Sequence, residues 1–76
     1  MRKPSTQITE ILSCNIRRLR AGIALSQEQL ADKCGLHRTY VGAVERGERN
    51  VTLSSLELLS SALGVDVPTL LSEHKD

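Results

Sequence analysis

Arg38 and Thr39 stand side by side where a short helix is expected to begin, and both carry groups suited to the edges of base pairs. An arginine fork bonds the O6 and N7 of guanine together, and threonine bonds a base edge or touches a thymine methyl. One turn further on, Gly42 and Ala43 are small. Small side chains there leave room for base pairs, so Ala43 joins Arg38 and Thr39 as a candidate base-reading residue. Gln27, Tyr40, Arg46, Arg49 and Asn50 lie around them in sequence, and each has a donor that suits a phosphate oxygen. Contacts of that second kind set position on a duplex and carry no sequence information directly. Taken singly, Arg38, Arg46 and Arg49 are better explained as solvated surface charges. The argument rests on their clustering around one short segment.

That segment needs two helices to hold it. Ser26 followed by Gln29 is a capping box, which opens a helix from Gln27 to about Lys33 that Gly35 stops. Its inward residues are Leu30, Ala31 and Cys34. A third helix starts in the stretch Leu36-His37-Arg38-Thr39, with His37 as a candidate cap, and runs to about Arg46, where Gly47 closes it. Leu36, Val41 and Val44 form its apolar back, leaving Arg38, Thr39, Gly42, Ala43 and Arg46 outward. Glycine inside a helix costs roughly 1 kcal/mol relative to alanine, so Gly42 implies that something requires a small residue there. Two short helices joined through a glycine turn make a helix-turn-helix: the second helix enters a major groove and the first braces it across the phosphates. The amides that open the second helix, at Gln27, also favour an anion.

The rest of the chain supplies the core. Ile8, Ile11, Leu12, Ile16 and Leu19 recur at helical spacing from Thr6, and Gly22 is expected to end that first helix. Arg17 and Arg18 fall off the stripe and are expected in solvent, with Arg20 on its flank. Glu48 to Leu53 reads as a loop. Ser54, with Glu57 after it, is expected to cap a fourth helix that buries Leu56, Leu59, Ala62 and Leu63. Asp66 is expected to cap a fifth, with Pro68 in its first turn and Val67, Leu70 and Leu71 as its apolar residues. The expected fold is all-α, a compact bundle of about five helices containing a helix-turn-helix.

Composition sets the limits. The 76 residues suit one domain, 1–76, with 1–5 and 73–76 as loose tails. A domain of this size buries a modest core and gains from pairing. Tyr40 is the sole aromatic residue, so aliphatic side chains must fill the core. The net charge of +1 neither demands nor excludes a nucleic acid; the placement of the charges decides. Cys14 and Cys34 lack metal-ligand spacing and read as free thiols of a reducing cytosol, so no metal and no cofactor are expected. No apolar run approaches the ~20 residues of a membrane span, and the first residues lack a signal peptide's apolar stretch, so a cytoplasmic protein away from membranes is expected. No nucleophile–base pair or Gly-rich phosphate loop is present, which argues against an enzyme. A helical chain this small offers little room for a small-molecule site.

Residues 12 to about 71 resemble the Cro/repressor-type (XRE) helix-turn-helix family, in Leu25-Ser26-Gln27-Glu28-Gln29-Leu30-Ala31 and again in Ala62-Leu63-Gly64-Val65. The segments His37-Arg38-Thr39-Tyr40-Val41 and Glu45-Arg46-Gly47-Glu48-Arg49-Asn50 look like the controller proteins of restriction–modification systems. The resemblance implies a lambda-repressor-like fold and a transcription regulator that binds operator DNA as a dimer. It implies Arg38 as a base reader with Thr39 beside it, and Tyr40, Arg49, Asn50 and Thr52 on the backbone. Related phage repressors pair an arginine near the end of the first helix with a glutamate at the end of the third. The matching residues here are Arg20 and Glu45, a structural ion pair. The polar N-terminal tail departs from the pattern and has no assigned role.

A small domain contacts few base pairs, so two copies on palindromic double-stranded DNA follow from geometry. The apolar residues least needed by a monomer core are Leu58, Val65, Val67 and Leu70, the expected interface of a homodimer. RNA polymerase is a candidate further partner through Glu28, Asp32 and Glu48. The competing reading is an antitoxin-like or other protein-interaction module on the same fold, which the short tails disfavour.

Overall fold

Each helix of this chain begins where a side chain can satisfy the amides that a helix N-terminus leaves open. The computed structural model describes residues 4–74. It contains α1 (Thr6–Gly22), α2 (Gln27–Cys34), α3 (Arg38–Glu45), α4 (Leu53–Leu63) and α5 (Val67–Leu70), with no strand among the described residues. Ser5 Oγ accepts from the Ile8 amide at 3.2 Å, so Ser5 is the cap of α1 and not part of a loose tail. Residues 1–3 and 75–76 of the expected tails lie outside the described residues. Ser26 and Gln29 make the reciprocal capping box, at 3.0 and 2.8 Å. His37 caps α3 by accepting from the Thr39 amide at Nδ1, 3.1 Å. Asp66 caps α5, and Pro68 stands in its first turn.

Two helix starts differ from the sequence reading. Thr52, not Ser54, caps α4: its hydroxyl accepts from the Ser55 amide at 3.1 Å, and the helix starts two residues before the expected capping box allows. Thr52 and Ser54 are both competent caps, and the chain's approach to the core selects the first. The third helix proper begins at Arg38, because Leu36 and His37 belong to the turn. α1 ends at Gly22 as expected, and the left-handed residue that then turns the chain is Ala24, at φ 56°. Gly35, at φ 72°, is the turn residue of the α2–α3 corner, where a Cβ would be strained.

The core is aliphatic. Leu12, Ile16, Leu30, Val41, Leu59 and Leu70 form its centre, with Leu56 and Leu63 beside them. α1 crosses behind α3, α4 and α5, so one helix packs on three others. Leu70 is fully buried and belongs to this core, which corrects its expected place in a dimer interface. Val65 and Val67 are half-buried against the core, whereas Leu58 is 44% exposed. Leu53, which no stripe included, is the most exposed of the large hydrophobic residues at 78%.

A polar tie closes the bundle. Asn15 is buried on α1, and its Nδ2 lies 2.9 Å from the carbonyl of Leu70 and 2.7 Å from that of Ser72. These carbonyls lie at the end of α5, where no further helical turn satisfies them.

Candidate nucleic-acid interface

The outer end of α3 is built from its inner end. Glu45, the last residue of α3, is 2% exposed. A buried carboxylate is costly unless it is paired and hydrogen-bonded. Arg20 meets it with two donors, Nε to Oε2 at 2.7 Å and Nη2 to Oε1 at 3.0 Å. The third arm of the same guanidinium donates to the Leu25 carbonyl at 2.8 Å, so Arg20 also fixes the turn into α2. Gln27 Nε2 donates to Glu45 Oε1 at 3.0 Å, which ties the start of α2 to the end of α3. Arg17 donates to the Glu45 backbone carbonyl, so it is engaged and not simply solvated. The hydrogen bond to Glu45 holds the Arg20 guanidinium above its ordinary pKa, against the desolvation that lowers it. Among the described residues no buried side-chain nitrogen or oxygen lacks a partner.

This arrangement leaves the N-terminal end of α3 open. His37, Arg38 and Thr39 are exposed, and among the described residues the Arg38 guanidinium makes no hydrogen bond or ion pair. Tyr40 is half-buried against the core. The Arg49 guanidinium lies over its ring, 5.6 Å from the centroid, within range of a cation–π contact. That contact brings the α3–α4 loop up beside α3. Arg46, Arg49 and Asn50 are exposed along it, and Arg46 Nε pairs with Glu48 at 3.1 Å. Such a surface pair is worth little and yields readily to another anion.

Two sequence expectations change here. Gly42 and Ala43 are buried, not outward, and Ala43 is 8% exposed, which leaves little surface for a base edge. α1 and α2 both pack on α3, and its residues from Val41 to Glu45 are all buried. Thr52 is exposed, but its hydroxyl is occupied by its cap and by Ser54 and Ser55. The roles of Gln27 and Arg17 in the Glu45 cluster were missed. The only sequence signal for them is a glutamate expected beside the buried Val44, which must find several donors.

The helix-turn-helix family model matches residues 16–70. The chain belongs to that helix-turn-helix family. Within the family it is similar to the restriction–modification control proteins. It is 60% identical over 67 residues to control protein C.SmaI of Serratia marcescens, covering 88% of this chain and 80% of that protein. The crystal structure of a hypothetical transcription factor from Neisseria superposes with a TM-score of 0.85 at 43% identity, covering 96% of this chain and 85% of that one. The restriction–modification controller protein C.Esp1396I, solved as a tetramer with its 35 base-pair operator, superposes with a TM-score of 0.79 at 35% identity, covering 87% of each chain.

Proposed function

We propose that this helix-turn-helix protein is a sequence-specific transcription regulator of the controller type, which binds palindromic operator DNA as a homodimer. The observation that carries the reading is the contrast along α3. Its Glu45 end is locked into the core, while Arg38 and Thr39 stand free at the other end. In this reading Arg38 and Thr39 address base edges, and Gln27, Tyr40, Arg46, Arg49 and Asn50 hold the backbone. Thr52 contributes through its place at the N-terminus of α4 rather than through a free hydroxyl. The likeness to C.SmaI supports the controller assignment, as does the likeness to C.Esp1396I in its operator complex. RNA polymerase is a further partner in this reading, with the exposed Glu28, Asp32 and Glu48 as contributors. The reading includes no enzymatic activity, cofactor or small-molecule effector. It places the protein in the cytoplasm with its DNA; among the described residues no helix is long and apolar enough to cross a membrane.

Selection from a random duplex library at fixed salt tests the base reading, because phosphate contacts make affinity fall as salt rises. A two-fold symmetric motif is expected for the wild-type protein and its loss for Arg38→Ala. Enrichment of no motif by folded protein would leave a protein-partner module as the better reading. The homodimer has its own test. Leu58 is an exposed apolar residue of α4, and Val65 and Val67, expected in the same interface, are only half-buried. Leu58→Glu is expected to sediment as a monomer and to keep its fold; an unchanged dimer would place the interface elsewhere.

A further inference from the structure

Gly42 lies in the middle of α3, is buried, and has an ordinary helical φ. Neither a turn nor a positive φ requires glycine there. What covers it is two side chains that the reading above assigns to the DNA backbone. A methyl carbon at position 42 would lie 3.2 Å from Arg46 Nη1 and 3.4 Å from Gln27 Oε1. Both distances are at or inside the tight end of ordinary contact, so one of the two groups would have to give.

The two are not equally free to move. Gln27 is tethered at its other amide atom, because Nε2 donates to the buried Glu45 carboxylate, which Arg20 holds in turn. Arg46 is 57% exposed and is fixed only by its surface pair with Glu48. Of the two, the arginine would be displaced.

We propose that Gly42 is a positioning residue for DNA binding, a seat on α3 that lets the Arg46 guanidinium rest against the helix beside the Gln27 amide oxygen and present its outer donors to a phosphate. Arg46 caps the C-terminus of α3 and Gln27 opens α2, so the seat lies where the two helices of the motif meet. Without a side chain at 42, the guanidinium rests against the helix and its outer edge faces solvent. A residue with a Cβ would tilt it away while leaving Arg38 and Thr39 untouched. This inference rests on the proposed DNA-binding function and adds to it a residue that touches no DNA.

The test is Gly42→Ala, measured with the wild-type protein on the selected operator and on a scrambled duplex across a salt series. Gly42→Ala is expected to melt no lower than wild type, since alanine favours the helix and only a flexible side chain must shift. Its affinity is expected to fall about tenfold on both duplexes alike, with a salt slope shallower by about one, the pattern of a lost phosphate contact. The operator preference set by Arg38 is expected to remain. In an Arg46→Ala background the same substitution is expected to change affinity by less than about twofold, because the two act through one contact. Arg46→Lys in the Gly42→Ala protein is expected to recover part of the loss, since a slim ammonium passes the added methyl. A purely structural glycine would gain nothing from that change. Wild-type affinity and salt slope for Gly42→Ala would overturn the inference, as would losses that add with Arg46→Ala. Should Gly42→Ala melt lower, the lysine rescue decides: no recovery overturns it. Failure of the wild-type protein to prefer any operator removes the function itself, a result distinct from these.

Discussion

Arg38 and Glu45 occupy opposite ends of α3 and meet opposite surroundings. Glu45 is 2% exposed and accepts from Arg20 and Gln27, while Arg38 is exposed and unbonded among the described residues. The short helix therefore has a fixed root and a free tip. Fixing the root by charge rather than by apolar packing has a physical consequence. Each of its bonds is directional, so it sets the angle of α3 against α1 and α2 as well as its distance. The tip needs no such partners, because its donors are exposed to water and, in the function proposed above, to DNA. Changes at the root should thus be felt as stability, and changes at the tip as recognition.

Arg20→Ala should show the largest effect of the first kind. It strands a buried carboxylate and frees the Leu25 carbonyl, and removal of one partner of such a pair costs about 3–5 kcal/mol. Urea denaturation would measure it; a loss below about 1 kcal/mol would mean that water already reaches Glu45. Asn15→Ala probes a second polar tie, far from α3. It removes the donor of the carbonyls at the end of α5, and about 1–3 kcal/mol should be lost. An operator motif unchanged from wild type, on the protein that remains folded, would keep that tie separate from recognition.

At the tip the expectation reverses. Arg38→Ala should leave the urea midpoint within the range of an ordinary surface change, about 0.5 kcal/mol. It should remove about 1–3 kcal/mol of discrimination at one base pair of each half-site. A large stability loss would erase the contrast between tip and root. The smallest effect concerns acid. The side-chain hydroxyl and the amide of Thr69 hold the Asp66 carboxyl below its usual pKa. A depressed folded-state pKa contributes stability above the unfolded value, and this is lost as pH falls through the folded one. Asp66→Asn should therefore flatten slightly the acid limb of a stability–pH curve, lying a little below wild type near neutrality and meeting it at low pH.

Much of the helix plan was legible because caps and stripes are local. Ser26 with Gln29, and Asp66 with Pro68, mark their helices through groups three residues apart or fewer. The stripes Leu12–Ile16 and Leu56–Leu59–Leu63 follow from helical period. Where a local signal had a neighbour of the same chemistry, it misled: Ser54 with Glu57 reads as the cap of α4, yet Thr52 takes that place, and packing of α4 decided. The burial of Ala43 and Leu70 was misread for the same reason. A residue on a helix flank is inside or outside according to how many neighbours that helix has, and α3 has two against it.

The amino-acid sequence by itself determined that five helices form, the main apolar stripe of each, and that Arg38 and Thr39 lie near the start of the third. These depend on hydrogen bonds and periodicity within a few residues, and no fold is needed to read them. The tertiary structure alone decided that Arg17, Arg20 and Gln27 converge on Glu45, that Asn15 closes α5, and that Gly42 lies beneath Gln27 and Arg46. Those groups lie up to 57 residues apart in the chain. A buried polar group takes whichever partner the packing delivers, and only the crossing angles of the helices fix which one that is.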